Sequence, residues 1–423
     1  MFLLSKSNIT FTQLHLSVYI ANRIALSKHK SFSSFITKLS IAATALSVAT
    51  MIVALAILYG FNASITNKIY NCWGHIRVRS YTPIQNGITD DDYVLSNDTL
   101  EKNIRQLPSV KTIQSYATKS TLVSSGSAFD ALLIKGVPAN YDSTNFGLYI
   151  KQGRWMHYND STFSKEIIIS THLANDLQLS LGSKLNLYFL NKETEKTRAK
   201  NVTVVGIYKT DMDEFDNNYI IGDLNLIRNI NYWDSTQIGG YEIYLNNTED
   251  IEKTNNLINE KLGSTLQSRT IYSEYPNVFD WLRLLDTNKY LLLIIIGVVA
   301  TINLITFLIV LVLERIKMIG VLKSLGNSNG AIQQIFIYHT LLIGTIGTII
   351  GALLGLLLCY IQQQYQLLTF SNTEAYSLSV IPIQVLWWHV PLVCLGTLLI
   401  CSIMLSIPAL LIKKISPTSA LKY

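Results

Sequence analysis

Four long apolar runs decide what this chain can become. The first is LSIAATALSVATMIVALAILYGF, Leu39 to Phe61, and the second is YLLLIIIGVVATINLITFLIVLVL, Tyr290 to Leu313. The third covers residues 335–360 and the fourth 390–412. A helix needs about 20 apolar residues to cross the hydrocarbon core of a bilayer, so each run is long enough to span with some tilt. The first run begins too far from the N-terminus, and is too long, for a cleaved signal segment. It reads as a retained span.

Between the first two runs lie residues 62–289, and they are ordinary and polar. Strand character recurs there in HIRVRSY, ALLIKGV, EIIIS, KLNLYFL, NVTVVGIY and YEIYL, where β-branched and aromatic residues dominate. Helical patterns are interspersed in NDTLEKNIRQL and NTEDIEKTNNLINEKL; the second opens on Asn247 and Thr248 as N-caps, with acids in its first turn. The expected fold class is therefore an α-helical membrane domain of four transmembrane helices, with a large α+β extracytoplasmic domain inserted between helices 1 and 2. At 228 residues the insert is expected to hold two subdomains, about 70–120 with 240–276, and 121–239.

A formal charge of +6 raises the question of nucleic acid, and its distribution answers it. Residues 1–38 carry Lys6, Arg23, Lys28, Lys30 and Lys38 and no acid, whereas the insert has 23 basic and 26 acidic side chains. The basic excess belongs to the membrane flanks, and nucleic acid is not expected as a partner. Membrane lipids are, since FTQLHLSVYIANRIALSKHK is basic and amphipathic, with Leu16, Ile20 and Ile24 on one side. Such a segment commonly lies along the inner membrane surface, the alternative being a cytoplasmic helix packed on protein.

Lys and Arg bias in the short connections sets the orientation. Residues 314–330 hold Arg315, Lys317 and Lys323, the tail 413–423 holds Lys413, Lys414 and Lys422, and residues 361–389 hold none. Both termini and the 314–330 connection are therefore expected in the cytoplasm, with 62–289 and 361–389 outside. Trp387 and Trp388 fall just before the fourth run, where indoles prefer the interface. In the third run Gly344, Gly347, Gly351 and Gly355 recur at spacings of three and four, a small-residue face suited to close helix packing.

No chemistry of its own is legible. There is no Walker A pattern, no GxSxG elbow, and neither CxxC nor HExxH, so no catalytic, cofactor-binding or metal residues are assigned. Of four cysteines, Cys72 stands alone in the insert, which excludes an internal disulfide framework there. The cluster Asp211, Asp213, Glu214 and Asp216 fails the EF-hand spacing, because Asp216 stands where the turn needs glycine, and is expected to be a solvated acidic loop. The seven histidines are scattered; His339 lies inside the third run, where an ionisable group is a functional candidate, but only a turn or two from the cytoplasmic end, where a neutral packed imidazole costs little.

The connection ERIKMIGVLKSLGNS, residues 314–328, is greasier than a loop requires. Met318, Val321, Leu322 and Leu325 recur at helical spacing, with Ile319 beside them and Glu314, Arg315 and Lys317 at the membrane end. Gly326 is placed to stop the helix, with Asn327 and Ser328 as turn and cap. A short amphipathic helix of this kind either rests its stripe on the membrane surface or calls for a protein partner in the cytoplasm.

This stretch resembles the cytoplasmic signature of the four-span ABC permeases, which include the lipoprotein-releasing (LolC/LolE-like), macrolide-exporter and FtsX types. IPALLIKKISPTSALKY is similar to their closing pattern through Pro408, Ala409, Pro417, Ala420 and Leu421. SFITKLSIAATALSVATMIVALAILYGF, VFDWLRLLDTNKYLLLIII, IKGVPANY, THLANDLQLSLGSKL and VTVVGIYKTDMDEFD resemble the lipoprotein-releasing branch in particular. THLANDL departs from it in lacking a glycine before Leu173-Ala174, and no carrier-binding hook can be placed by residue.

The resemblance implies a permease of the bacterial inner membrane without a nucleotide-binding domain. A separate ABC ATPase would hydrolyse ATP and dock on the coupling helix at Glu314, Arg315, Met318, Ile319, Val321, Leu322, Leu325 and Gly326. Its closure would move the spans and the outer domain, a mechanotransmission that passes lipoprotein cargo to a soluble periplasmic carrier. A second permease copy or a related permease would complete the transporter. An export permease of the macrolide-exporter type and an FtsX-like regulator of cell-wall hydrolases are the alternatives.

Overall fold

The computed structural model describes residues 32–81, 92–125, 128–159, 163–190, 197–370, 378 and 380–409. The N-terminal amphipathic segment up to residue 31, and the tail with Pro417, Ala420 and Leu421, lie outside the described residues. In chain order the first elements are α1 (Phe32–Trp73), β1 (Ile76–Ser80), β2 (Val94–Leu95), α2 (Asp98–Arg105), β3 (Val110–Ser125) and β4 (Ala128–Val137). Next come β5 (Ile150–Gly153), β6 (Glu166–Ser170), β7 (Lys184–Leu190), β8 (Thr197–Tyr208) and β9 (Tyr219–Asp223). They are followed by α3 (Leu224–Asn231), β10 (Gln237–Ile238), β11 (Gly240–Leu245), α4 (Ile251–Asn259) and β12 (Leu266–Thr270). The chain closes with α5 (Pro276–Glu314), α6 (Ile316–Ser324), α7 (Asn329–Tyr365) and α8 (His389–Ala409).

The chain divides into two compact units. The first takes Met1–Asn62, Leu282–Leu368 and Ile381–Tyr423; the second takes Ala63–Trp281 with Thr369–Val380.

In the first unit, the first three apolar runs lie within helices, as do the described residues 390–409 of the fourth. Among the described residues α1, α5 and α7 carry helices long and apolar enough to cross a membrane, while the apolar stretch of α8 is shorter, His389–Ile400. The chain is a multi-pass membrane protein. Two clusters of buried side chains hold its helices together. In one, Leu304, Phe307, Leu308, Leu311 and Val312 of α5 meet Ile332, Phe336 and Ile343 of α7, with Ile36 and Ile41 of α1 packed against them. In the other, Val48, Met51, Ile52 and Leu55 of α1 meet Val393 of α8.

The second unit is built on a mixed sheet, ordered β12-β1-β11-β3-β4-β9-β6-β8-β5. β3 is its spine: Val110–Tyr116 pair with β11, and Ala117–Ser125 pair with β4. β7 takes over the edge that β11 leaves, at Leu122–Ser124, and its other edge pairs with β8. β3, β4, β9, β6, β8 and β7 thereby close into a ring, which leaves those strands few free backbone groups. Every stretch read as a strand in the sequence is one, and α2 and α4 supply the expected helices. β3 itself was not legible, because VKTIQSYATKSTLVSS mixes polar and apolar residues without alternation. It has a neighbour on each side, and Ile113, Gln114, Tyr116, Ala117, Thr118 and Lys119 are all buried.

The acidic cluster departs from the solvated loop expected of it. Asp216 is buried and accepts hydrogen bonds from the Thr210 and Asp211 amides and from Thr210 Oγ1, at 2.7 to 3.1 Å. Burial raises its pKa, and those hydrogen bonds oppose the rise. Asp211 pairs with Lys209 at 2.8 Å and Lys68 at 3.5 Å. This carboxylate cluster folds its own loop, as Asp and Asn side chains do in turns.

Candidate functional site

α6 joins α5 to α7 through two short breaks. Arg315 leaves helical geometry as the N-cap. At the far end Gly326 adopts φ +86°, its amide donates to Lys323 O, and the Asn327 amide donates to Leu322 O, both at 3.0 Å. That pair of bonds is a Schellman closure, and it needs a residue without a Cβ in the left-handed region. Ser328 then caps α7 by accepting from the Ala331 amide at 3.2 Å.

The apolar residues of α6 divide between two faces. Ile319 is fully buried in the α5–α7 cluster, and Met318 and Leu322 pack against the same cluster. Val321 and Leu325 point elsewhere and are 46 % and 78 % exposed. A single stripe was expected from the spacing. The inner residues anchor the helix to the bundle, and Val321 and Leu325 remain as its apolar surface. Glu314 is the exposed last residue of α5 and Arg315 is half-buried beside it.

The glycines of α7 meet two different helices. An added Cβ would lie 2.8 Å from Thr44 Cβ at Gly347, 2.5 Å from Ala45 O at Gly351 and 3.2 Å from Ala49 at Gly355. All three neighbours are on α1. At Gly344 it would lie 3.6 Å from Leu304 of α5, an ordinary contact. His339 is buried with its ring stacked on Phe307, centroids 6.2 Å apart.

Charged residues that sequence reasoning did not single out lie buried in the second unit. Lys135 on β4 and Glu242 on β11 flank β3 and pair across it at 2.6 Å, with side chains 1 % and 0 % exposed. Lys135 Nζ also donates to Cys72 O at 2.5 Å, in the last turn of α1, where a cation complements the helix dipole. Burial pushes the Lys135 pKa down, and the Glu242 charge opposes it. Trp73, the last residue of α1, lies 4.4 Å from both the Lys135 ammonium and the Arg77 guanidinium. Arg77 in turn pairs with Glu274 at 2.6 Å and donates to the Tyr116 hydroxyl. The end of α1 is thus built into the sheet by cations on its final carbonyls and final ring. A lone Lys, Arg or Trp in a strand-rich sequence carries no signal of this.

Among the described residues no group of His, Cys, Asp and Glu is arranged to hold a metal ion. What the geometry offers is contact and leverage: an anchored helix with an apolar outer face, and a long helix whose end is clamped.

The MacB-like periplasmic core domain model matches residues 37–261, more than half of the chain. The chain belongs to this family. The FtsX-like permease C-terminal model matches residues 290–417, which contain α6 and the glycine face. The chain is 24% identical over 349 residues to the lipoprotein-releasing system transmembrane protein LolE of Haemophilus influenzae, covering 80% of this chain and 81% of that one. It is likewise 24% identical over 344 residues to the LolC protein of Neisseria meningitidis, covering 78% and 79%. Similarity to LolC of Xylella fastidiosa, at 22% identity, runs over 422 residues, 96% of this chain and 99% of that one.

Proposed function

We propose that this chain is the permease subunit of an ABC transporter that releases lipoproteins from the bacterial inner membrane, driven by a separate ATPase. The observation that carries the reading is α6, whose inner face is anchored by Ile319 while Val321 and Leu325 are offered outward. A partner that pushes on that face would move α5 and α7 together. Similarity to lipoprotein-releasing proteins across both halves of the chain supplies the cargo class.

In this reading the protein spans the membrane four times, with the MacB-like domain inserted between the first two spans as two subdomains that share β3. Both termini and α6 are cytoplasmic, as the Lys and Arg bias requires. The partners are the ABC ATPase at Glu314–Gly326, a second copy or a related permease, the lipoprotein cargo and a soluble carrier. Gly347, Gly351 and Gly355 hold α7 tightly to α1, so that the spans move as a block.

Depleting the protein should leave lipoproteins in the inner membrane, read by fractionation. A normal distribution after depletion would contradict the cargo assignment. The MacB-like match also favours an export permease of the macrolide-exporter type; co-purification of an outer-membrane channel would support that, and filamentation with normal lipoproteins would support the FtsX-like regulator.

A further inference from the structure

A polar cleft of about 550 Å³ lies within the second unit, and nothing above assigns it a role. One wall is β2 with the first turns of α2, and the other is the turn that joins α4 to β12. Both walls are tied down. Asn97 Oδ1 accepts from the Thr99 and Leu100 amides at 3.0 Å, and the Asn97 amide donates to the Tyr241 hydroxyl at the same distance. Opposite, the Leu266 amide donates to Gly263 O at 3.1 Å and the Tyr81 amide to Thr265 O at 2.8 Å. The cleft is preformed, as small-molecule sites are.

Its lining is suited to hydroxyl and amide groups. Thr99 and Asn103 stand one turn apart on α2, and Ser80 and Thr265 add two further hydroxyls. Tyr93 borders the cleft with 53 % of its surface exposed, and its ring packs edge-to-face with Trp233, centroids 6.2 Å apart. A fixed aromatic ring beside neutral hydrogen-bonding groups matches a sugar, which stacks its C–H face on the ring and offers hydroxyls at its rim. Lys261 is the single charged side chain among the described residues of the lining, so the cleft admits a neutral or an anionic ligand. Two rival ligands meet obstacles. A phosphate would use the amides at the start of α2, and Asn97 already takes those of Thr99 and Leu100. An extended peptide would use a free strand edge, and Asn259 closes β12 at Ser268, accepting from its amide at 3.0 Å and donating to its carbonyl at 3.4 Å.

We propose that this cleft binds a glycan of N-acetylated amino sugars that carries carboxylate groups. An acetamido group has one donor and one acceptor, and the exposed Asn103 carboxamide answers with one of each. Lys261 answers the carboxylate with a charge-assisted hydrogen bond. In the topology proposed above the second unit lies outside the membrane, where a polymer of this class would tether it. The inference is independent of the lipoprotein cargo.

The test titrates the full-length protein in nanodiscs with three tetrasaccharides, read by saturation-transfer NMR of the sugar. One is chitotetraose, the second alternates N-acetylglucosamine with N-acetylmuramic acid and so bears carboxylates, and the third is cellotetraose, which has no acetamido group. The carboxylated glycan should bind most tightly and cellotetraose at least about tenfold more weakly than it. Tyr93→Ala should weaken both N-acetylated glycans at least about fivefold. Asn103→Ala should do the same, and it keeps the test open should Tyr93→Ala not fold, because alanine favours the helix. Lys261→Gln should erase the advantage of the carboxylated glycan and leave chitotetraose binding unchanged. Absence of glycan binding, equal binding of cellotetraose, or tighter binding of an acidic peptide would each overturn the site. So would affinities unchanged in folded Asn103→Ala protein, or a preference for the carboxylated glycan that survives Lys261→Gln. Because binding is read without transport, such a failure leaves the depletion experiment free to succeed on its own.

Discussion

A lysine with 1 % of its side chain exposed persists inside a sheet only where its charge is answered. Lys135 has Glu242, the Cys72 carbonyl and the Trp73 ring for that purpose. Lys135→Met should therefore destabilise the outer unit by about 3–5 kcal/mol, because Glu242 is left buried and unpaired. Lys135→Met with Glu242→Leu should restore much of that, with both measured by thermal unfolding of the purified protein. His75 gives a pH dependence. It is buried, its ring stacks on Tyr70 at 4.1 Å, and its Nδ1 accepts from the Leu245 amide. Burial, helped by the Lys111 charge, depresses its pKa to about 4. The unfolded chain, with an ordinary value near 6.5, binds the proton first as pH falls. His75 thus stabilises the fold above about pH 6.5, and that contribution, about 3 kcal/mol, is lost as pH drops toward 4. His75→Phe should flatten this part of the stability profile between pH 7 and pH 4. None of these residues announced itself in sequence, because burial of a charge is decided by strands far apart in the chain.

The elements were more legible than their contacts. α6 followed from apolar spacing and from a glycine where the chain had to turn left-handed, and Gly326 stands there at φ +86°. Spacing does not tell which apolar residues a bundle takes for itself. Met318 and Leu322 belong to the core and Val321 and Leu325 do not, because α5 and α7 approach from one side only. The glycine face makes a graded prediction. Gly351→Ala would drive a methyl onto the Ala45 carbonyl and should cost about 1–3 kcal/mol, Gly355→Ala less, and Gly344→Ala little, since only the Leu304 side chain must give. Thermal inactivation midpoints in one detergent should fall in that order. Equal midpoints for all three would show that α7 does not depend on a close approach to α1.

At the scale of the molecule, membrane runs and polar insert were plain from hydropathy, which needs no tertiary information. The ring of strands was not, since β3 reads as polar and its partners arrive from both ends of the insert. In the proposed reading, function at this scale depends on a force supplied by a separate ATPase. Its proposed entry is Val321 and Leu325, and an inward residue serves as the control. Leu322→Asp should impair folding, by burying a charge against the α5–α7 core, whereas Val321→Asp with Leu325→Asp should leave insertion and folding intact. The decisive measurement is the ATP hydrolysis rate of the partner ATPase, added to nanodisc-embedded permease of either kind. The wild type should bind and stimulate the ATPase, and the Val321→Asp, Leu325→Asp protein should do neither at comparable insertion. Full stimulation by that double variant would contradict the claim that force enters through α6.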